Sequence, residues 1–155
     1  MEKFDELVRK LREGTSKEKM EAAAELGQLK DRRAVPFLRK AIKDADVVVR
    51  DNAAFALGQI GATEAVFDLV SLLDDESKIV RKSSAKALGM LKVKEAVQPL
   101  IVKVDEESYL VRKSVIRSLV QIGGDRVKIV LSEHLKKEEN VFLREMITGF
   151  LGKKS

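Results

Sequence analysis

Apolar and polar positions recur along this chain with a long period as well as a short one. Within "RAVPFLRKAIK" the apolar side chains Val35, Leu38 and Ile42 fall three and four residues apart, the spacing that places them on one helical face. A second stripe follows in "VVVRDNAAFALGQIG", where Val49, Ala53, Ala56, Leu57 and Ile60 share a face at the same period. That stretch returns every 31 residues, as "KIVRKSSAKALGMLK" and as "YLVRKSVIRSLVQIG". The pair Val49-Arg50 recurs as Val80-Arg81, Val111-Arg112 and, one residue late, Leu143-Arg144. One leucine column runs Leu26, Leu57, Leu88, Leu119, Leu151, and another Leu7, Leu38, Leu69, Leu100, Leu131. The pattern predicts five units of two helices each, spanning about 1–29, 31–60, 62–91, 93–122 and 124–153 of a single domain, residues 1–155.

The punctuation agrees with that division. Thr15, Asp46, Ser77, Ser108 and Asn140 precede the second helices, where a side-chain oxygen accepts an orphan N–H of the first turn at a gain of roughly 1 kcal/mol. Thr15 with Glu18 forms a capping-box sequence. Pro36 and Pro99 fall near the first turn of a first helix, where a missing N–H does little harm. Gly61 and Gly123 fall just past a second helix, where a left-handed stop favours glycine. Gly27, Gly58 and Gly89 lie earlier, inside the helix, where glycine costs about 1 kcal/mol relative to alanine. A cost repeated in register implies close approach by a neighbouring backbone; Val120 interrupts the column, so packing there is expected to be looser or shifted. Helices this short are marginal alone, and stacking buries what one hairpin cannot. The expected fold is an all-α solenoid, elongated and curved.

These residues also carry a resemblance. "VRxxAAxALGxIG" preceded by "AVxxLxxAI" resembles the HEAT repeat of the phycobilisome-lyase type, most clearly over residues 31–92. It is similar to natural archaeal and bacterial repeat proteins and to consensus-designed alphaRep binding scaffolds. The resemblance implies a right-handed superhelix with the second helices lining its concave face. It also implies that Arg50, Arg81, Arg112 and Arg144 form an internal ladder with Asp44, Asp75 and Glu106 at the hairpin turns. The family includes bilin lyases, scaffolds and some enzymes, so it implies a shape and a habit of binding rather than a reaction.

Composition narrows the chemistry. There is no cysteine, which removes disulfides, thiolate zinc sites and a thiol nucleophile, and which suits a reducing cytoplasm. The charged start "MEKFDELVRKLREG" lacks the apolar core of a signal peptide, and no apolar run approaches a membrane span, so a cytoplasmic protein with no membrane partner is expected. His134 is the only histidine and reads as a surface residue late in a first helix, where the helix dipole tolerates positive charge. Deoxyhypusine hydroxylase, a HEAT-type enzyme, needs several His-Glu pairs for its irons, and this chain does not supply them. The acidic runs Asp74 to Glu76 and Asp105 to Glu107 recur at hairpin turns just before capped helices, where negative charge helps a helix start. "GKKS" at 152–155 has no strand before it and no helix after it, unlike a phosphate loop. No catalytic residue, cofactor or metal is expected.

The arc of each second helix opposite its core stripe holds the binding candidates. Phe55, Gln59, Lys78, Lys82, Lys86, Met90, Tyr109, Lys113, Arg117 and Gln121 fall on it. Although the formal net charge is only +5, Lys78, Lys82, Lys86, Lys113 and Arg117 gather there with no acidic residue among them. Val48, Ile79, Leu110 and Phe142 form an apolar row on the same arc, either partly exposed or tucked against the next unit's turn. The expected function is a non-catalytic protein–protein interaction module or scaffold that receives an acidic partner segment. Two alternatives are a nucleic-acid binder using the same basic track and a bilin-lyase-like protein. The low aromatic content, 5% with no tryptophan, leaves few platforms for stacking single strands. At the ends, Glu25 reads as a polar cap of the packing column Ala56, Ala87, Ser118, which finishes in Phe150. With Phe142 and Met146 nearby, that end predicts either a monomer with Phe150 folded back or a weak homodimer through the C-terminal unit.

Overall fold

The structure, a computed structural model, describes residues 2–153, so Lys154 and Ser155 of the terminal GKKS lie outside the described residues. It contains ten α-helices and no strand among those residues: α1 (Lys3–Glu13), α2 (Ser16–Leu29), α3 (Val35–Ala41), α4 (Val47–Ile60), α5 (Val66–Ser71), α6 (Lys78–Leu91), α7 (Val97–Val102), α8 (Tyr109–Ile122), α9 (Asp125–Leu135) and α10 (Val141–Leu151). Consecutive helices pair as hairpins, and the even-numbered helices stack on one another to form the inner layer of an α-solenoid. The middle first helices are shorter than their stripes suggest, because α3, α5 and α7 each begin from a 3₁₀ turn, at Arg32–Ala34, Thr63–Ala65 and Lys94–Ala96. Each of these turns ends on a fully buried alanine, Ala34, Ala65 or Ala96, the small side chain that lets the turn sit against the core.

The columns of the sequence become the core. Leu26, Leu57, Leu88 and Leu119 are wholly buried, as are Leu38, Leu69, Leu100 and Leu131, and at the C-terminal unit Leu143 and Ile147 take over while Leu151 is only partly covered. The helical glycines mark where the inner helices touch. A Cβ on Gly27 would lie 2.8 Å from the Ala56 Cα, one on Gly58 the same distance from the Ala87 Cα, and one on Gly89 would lie 2.7 Å from the Ser118 Cβ. At Val120 the column breaks, and α10 packs on α8 far less extensively than the inner helices before it pack on each other.

Helix starts follow the sequence at three of the five positions. Thr15 and Glu18 close a reciprocal capping box, Asp46 accepts the amides of Val48 and Val49, and Asn140 accepts that of Leu143. Ser77 and Ser108 occupy the N-cap but make no side-chain cap bond, so those two expected caps are absent. At the other end Gly61 takes the left-handed stop, whereas α2 and α6 stop in the same conformation on Lys30 and Lys92, with φ of 53° and 52°.

Candidate functional site

Two constellations stand out, one inside the hairpin turns and one on the inner face. In the turns, Lys19, Arg50, Arg81 and Arg112, one on each of the first four inner helices, reach an acidic residue of the following turn. Arg50 Nε and Nη2 donate to the Asp75 carboxylate at 3.0 and 3.2 Å, while Nη1 donates to the carbonyls of Asp44 and Ala45 in its own turn. Arg81 repeats the arrangement with Glu106 and the carbonyls of Asp75 and Glu76, although its Nε is left without a partner. Arg112 reaches Glu138 with Nε at 2.9 Å and Nη2 at 3.2 Å. Asp44 pairs instead with Lys19, at 3.1 Å. Arg144 binds only carbonyls, those of Leu135 and Glu138, because no further acidic turn follows it among the described residues. Burial pushes the Asp75 carboxyl up, but the Arg50 guanidinium and the Ser77 N–H outweigh it and hold the group below the usual carboxylate range.

Two members of this ladder, Lys19 and Glu138, are not among those the sequence pattern picks out. Lys19 stands one period before Arg50; Glu138 stands 32 residues after Glu106, the same one-residue delay shown by Leu143-Arg144. His134 also departs from its expected place on the surface. It is only 5% exposed, with Nδ1 3.1 Å from Asp105 Oδ1 and Nε2 2.8 Å from Glu138 Oε2. The late position in a first helix faces the next turn rather than solvent, and a carboxylate stands within hydrogen-bonding distance of each ring nitrogen. This cluster is fully engaged in joining the last two units. No group of three or more His, Cys, Asp or Glu side chains among the described residues is arranged to hold a metal ion.

The inner face carries the second constellation. α6 and α8 enclose a groove of about 430 Å³ lined by Lys82, Lys86 and Met90 on one side and Leu110, Lys113, Ser114, Arg117 and Gln121 on the other. Of the ten candidates, Lys82, Lys86, Met90, Lys113, Arg117 and Gln121 are brought together here, while Phe55, Gln59, Lys78 and Tyr109 lie outside the lining. Phe55, on α4, still borders it: Lys86 Nζ sits 5.0 Å from its ring centre, and Lys113 Nζ sits equally far from the Phe142 ring of α10. Ser114 and Leu110 also line the groove, although a choice of residues by charge and interface preference leaves them out.

The charge of this groove is uncompensated. Among the described residues, none of Lys78, Lys82, Lys86, Lys113 and Arg117 forms an ion pair. Some basic side chains elsewhere do find partners across units, as in Arg32–Glu64 at 2.8 Å, Arg39–Asp68 at 2.6 Å and Lys137–Asp105 at 2.9 Å. The apolar row is open as well: Val48, Ile79, Leu110 and Phe142 are 44%, 49%, 49% and 46% exposed, so they do not tuck beneath the next turn. Phe150 is partly buried against the core, and Glu25 pairs with Lys3 at 3.0 Å. No helix among the described residues is long and apolar enough to cross a membrane.

Comparison with known proteins places this geometry. The family model for HEAT repeats matches residues 4–78 and 68–149. No curated protein matches the sequence. Among solved structures, a chain in the complex of CpcE and CpcF of phycocyanin lyase from Nostoc sp. PCC7120 superposes with a TM-score of 0.85 at 23% identity, over 99% of this chain and 66% of that one. A designed armadillo repeat protein in complex with the peptide (KR)4 gives a TM-score of 0.72 at 21% identity, over 94% of this chain and 79% of that one. Computationally designed armadillo repeat proteins for modular peptide recognition give 0.69 at 22% identity, with the same coverage. At such identities the likeness is one of fold.

Proposed function

The chain belongs to the HEAT repeat family, and from that premise we propose that it is a non-catalytic interaction module that receives an acidic protein segment in the groove between α6 and α8. The observation that carries this reading is the gathering of Lys82, Lys86, Lys113 and Arg117 around one concavity whose lining holds no carboxylate. Four cations held together on an open face repel one another, modestly through water, and an acidic partner relieves that repulsion while steering its own approach. The exposed apolar row and Met90 give a protein partner something to bury that a phosphate backbone would leave unused. A designed solenoid of similar shape is complexed with the basic peptide (KR)4; a groove of the opposite sign here suits a peptide of the opposite sign. The likeness to the phycocyanin lyase chain adds shape only, and a groove ringed by cations does not by itself single out a pigment.

Fluorescence anisotropy with a labelled Glu-rich peptide, duplex DNA and single-stranded RNA tests this, with wild type beside a variant carrying Lys82→Glu, Lys86→Glu, Lys113→Glu and Arg117→Glu. The peptide should bind wild type and lose binding to the variant. Nucleic-acid binding that falls between roughly 50 and 200 mM salt with a log–log slope near −4 would instead make phosphate the natural ligand of the track. Failure of the peptide to bind at low salt would overturn the proposal.

A further inference from the structure

The proposed docking of an acidic segment leaves open its conformation and direction, and the arrangement of charge around the groove restricts both. Asp51, Lys82, Lys113 and Glu145 occupy equivalent positions on α4, α6, α8 and α10, the last with the one-residue delay. Across the solenoid this row therefore reads acid, base, base, acid. An acidic chain laid across the inner helices would run onto Asp51 at one side and Glu145 at the other. Asp51 is held in place by the Ser83 hydroxyl, which donates to it. The next row, Phe55, Lys86, Arg117 and Gly149, confines charge to the same two helices. Phe55 against Lys86 and Phe142 against Lys113 stand as aromatic shoulders at the two sides. Favourable potential thus runs lengthwise between α6 and α8.

Side-chain direction narrows the occupant further. The groove presents the lysines of α6 on one flank and Lys113 with Arg117 on the other, with Leu110 at the end where these helices begin and Met90 at the end where they stop. Leu110 stands level with Ile79, so it and Met90 are separated along the groove by about three helical turns, roughly 16 Å, which matches two residues on one face of a partner helix. Lys82 and Lys86, like Lys113 and Arg117, are four residues apart, which is about 6 Å along a helix axis. Acidic residues four apart on a partner helix have the same spacing. We infer that the groove takes an amphipathic helix of a partner protein, lying along α6 and α8, with its apolar stripe meeting Leu110 at one end and Met90 at the other and a row of carboxylates on each flank. This inference rests on the acidic-segment reading above and deepens it.

Three peptides of one composition and about 18 residues, five helical turns, test it. The first has a leucine stripe flanked by glutamates repeating every four residues. The second shuffles the same residues so that neither period survives. The third is the first with a central proline exchanged for a terminal one. Affinity is read by anisotropy, and peptide helicity by circular dichroism. The matched peptide should gain helicity on binding, and the other two should bind at least roughly tenfold more weakly. A Lys82→Ala/Lys113→Ala variant should weaken the matched peptide more than Lys78→Ala does; neither Lys82 nor Lys113 is in an ion pair among the described residues, and Lys113 gives up only its contact with the Phe142 ring. Equal affinity for all three peptides would sink the helical inference and leave the acidic-segment reading standing. Binding by none would remove both, and tight binding unaffected by the Lys82/Lys113 change would place the helix elsewhere and overturn the inference.

Discussion

At the residue scale the clearest chemistry is structural, and it centres on Glu138. Its carboxylate, 4% exposed, accepts from Arg112 and from the Asn140 amide at 3.0 Å, with His134 Nε2 2.8 Å away. Burial pushes its pKa up, but these donors, the Arg112 guanidinium foremost, outweigh that and hold it at about 2. The folded value lies below the unfolded one of roughly 4.3, so the stabilisation is fully present above that pH and is lost as pH falls toward the folded value. The shift corresponds to at most about 3 kcal/mol. Glu138→Gln leaves Arg112 largely buried without its counter-charge and should cost about 2–4 kcal/mol at neutral pH. Urea unfolding from pH 6 to pH 2.5 should show wild-type stability falling more steeply with acid than that of the variant. Parallel curves would show that Glu138 carries no such charge linkage. None of this is readable from a lone histidine and a run of glutamates, because the one-residue delay moves the acid out of its column and the buried side of His134 is set by tertiary contact.

At the element scale the informative residues are glycines that a helix would rather not contain. The cost of Gly27, Gly58 and Gly89 to their helices points to close contact, and the inner helices meet there. A methyl group at Gly58 would collide with the Ala87 backbone at 2.8 Å, and neither packed helix can yield easily. Gly58→Ala should therefore destabilise by about 1–2 kcal/mol, overpacking outweighing the gain in helix propensity. At Gly149, within α10, a methyl group would meet nothing within 4 Å, so Gly149→Ala should stabilise by about 0.5–1 kcal/mol. Thermal unfolding of both variants checks the pair, and a shift of the same sign in both would refute the close-approach account. Periodicity exposes this element logic because stacking copies the same contact along the chain. It does not expose the left-handed stops at Lys30 and Lys92 or the missing Ser77 and Ser108 caps, since local propensity yields where neighbouring turns already fix the backbone. The basic track is legible from the helical arc, whereas its enclosure between α6 and α8 alone depends on which neighbours stand beside each lysine.

At the scale of the whole molecule, each unit is held only by the units beside it, so stability is a sum of neighbour contacts and the ends open first. The inner helices α4, α6 and α8 are packed on both sides by neighbours in the same layer, whereas α10 meets α8 across the broken glycine column and its ladder arginine, Arg144, has only carbonyls to bind. The groove is therefore mounted on two of the best-supported helices, and the docking proposed for it would not require its four cations to be ordered first, which would lower the entropic cost. Native-state hydrogen exchange distinguishes this arrangement from a uniformly cooperative rod. Amides of α4, α6 and α8 should exchange slowest and those of α10 fastest among the inner helices, with the α10 protection lost at lower denaturant concentration. Uniform protection along the inner layer would mean that the Glu138 cluster ties the last unit as firmly as the glycine contacts tie the others. An α6 that exchanged as fast as α10 would contradict a preorganised groove, because the lysines would then ride on a helix that opens before its partner binds.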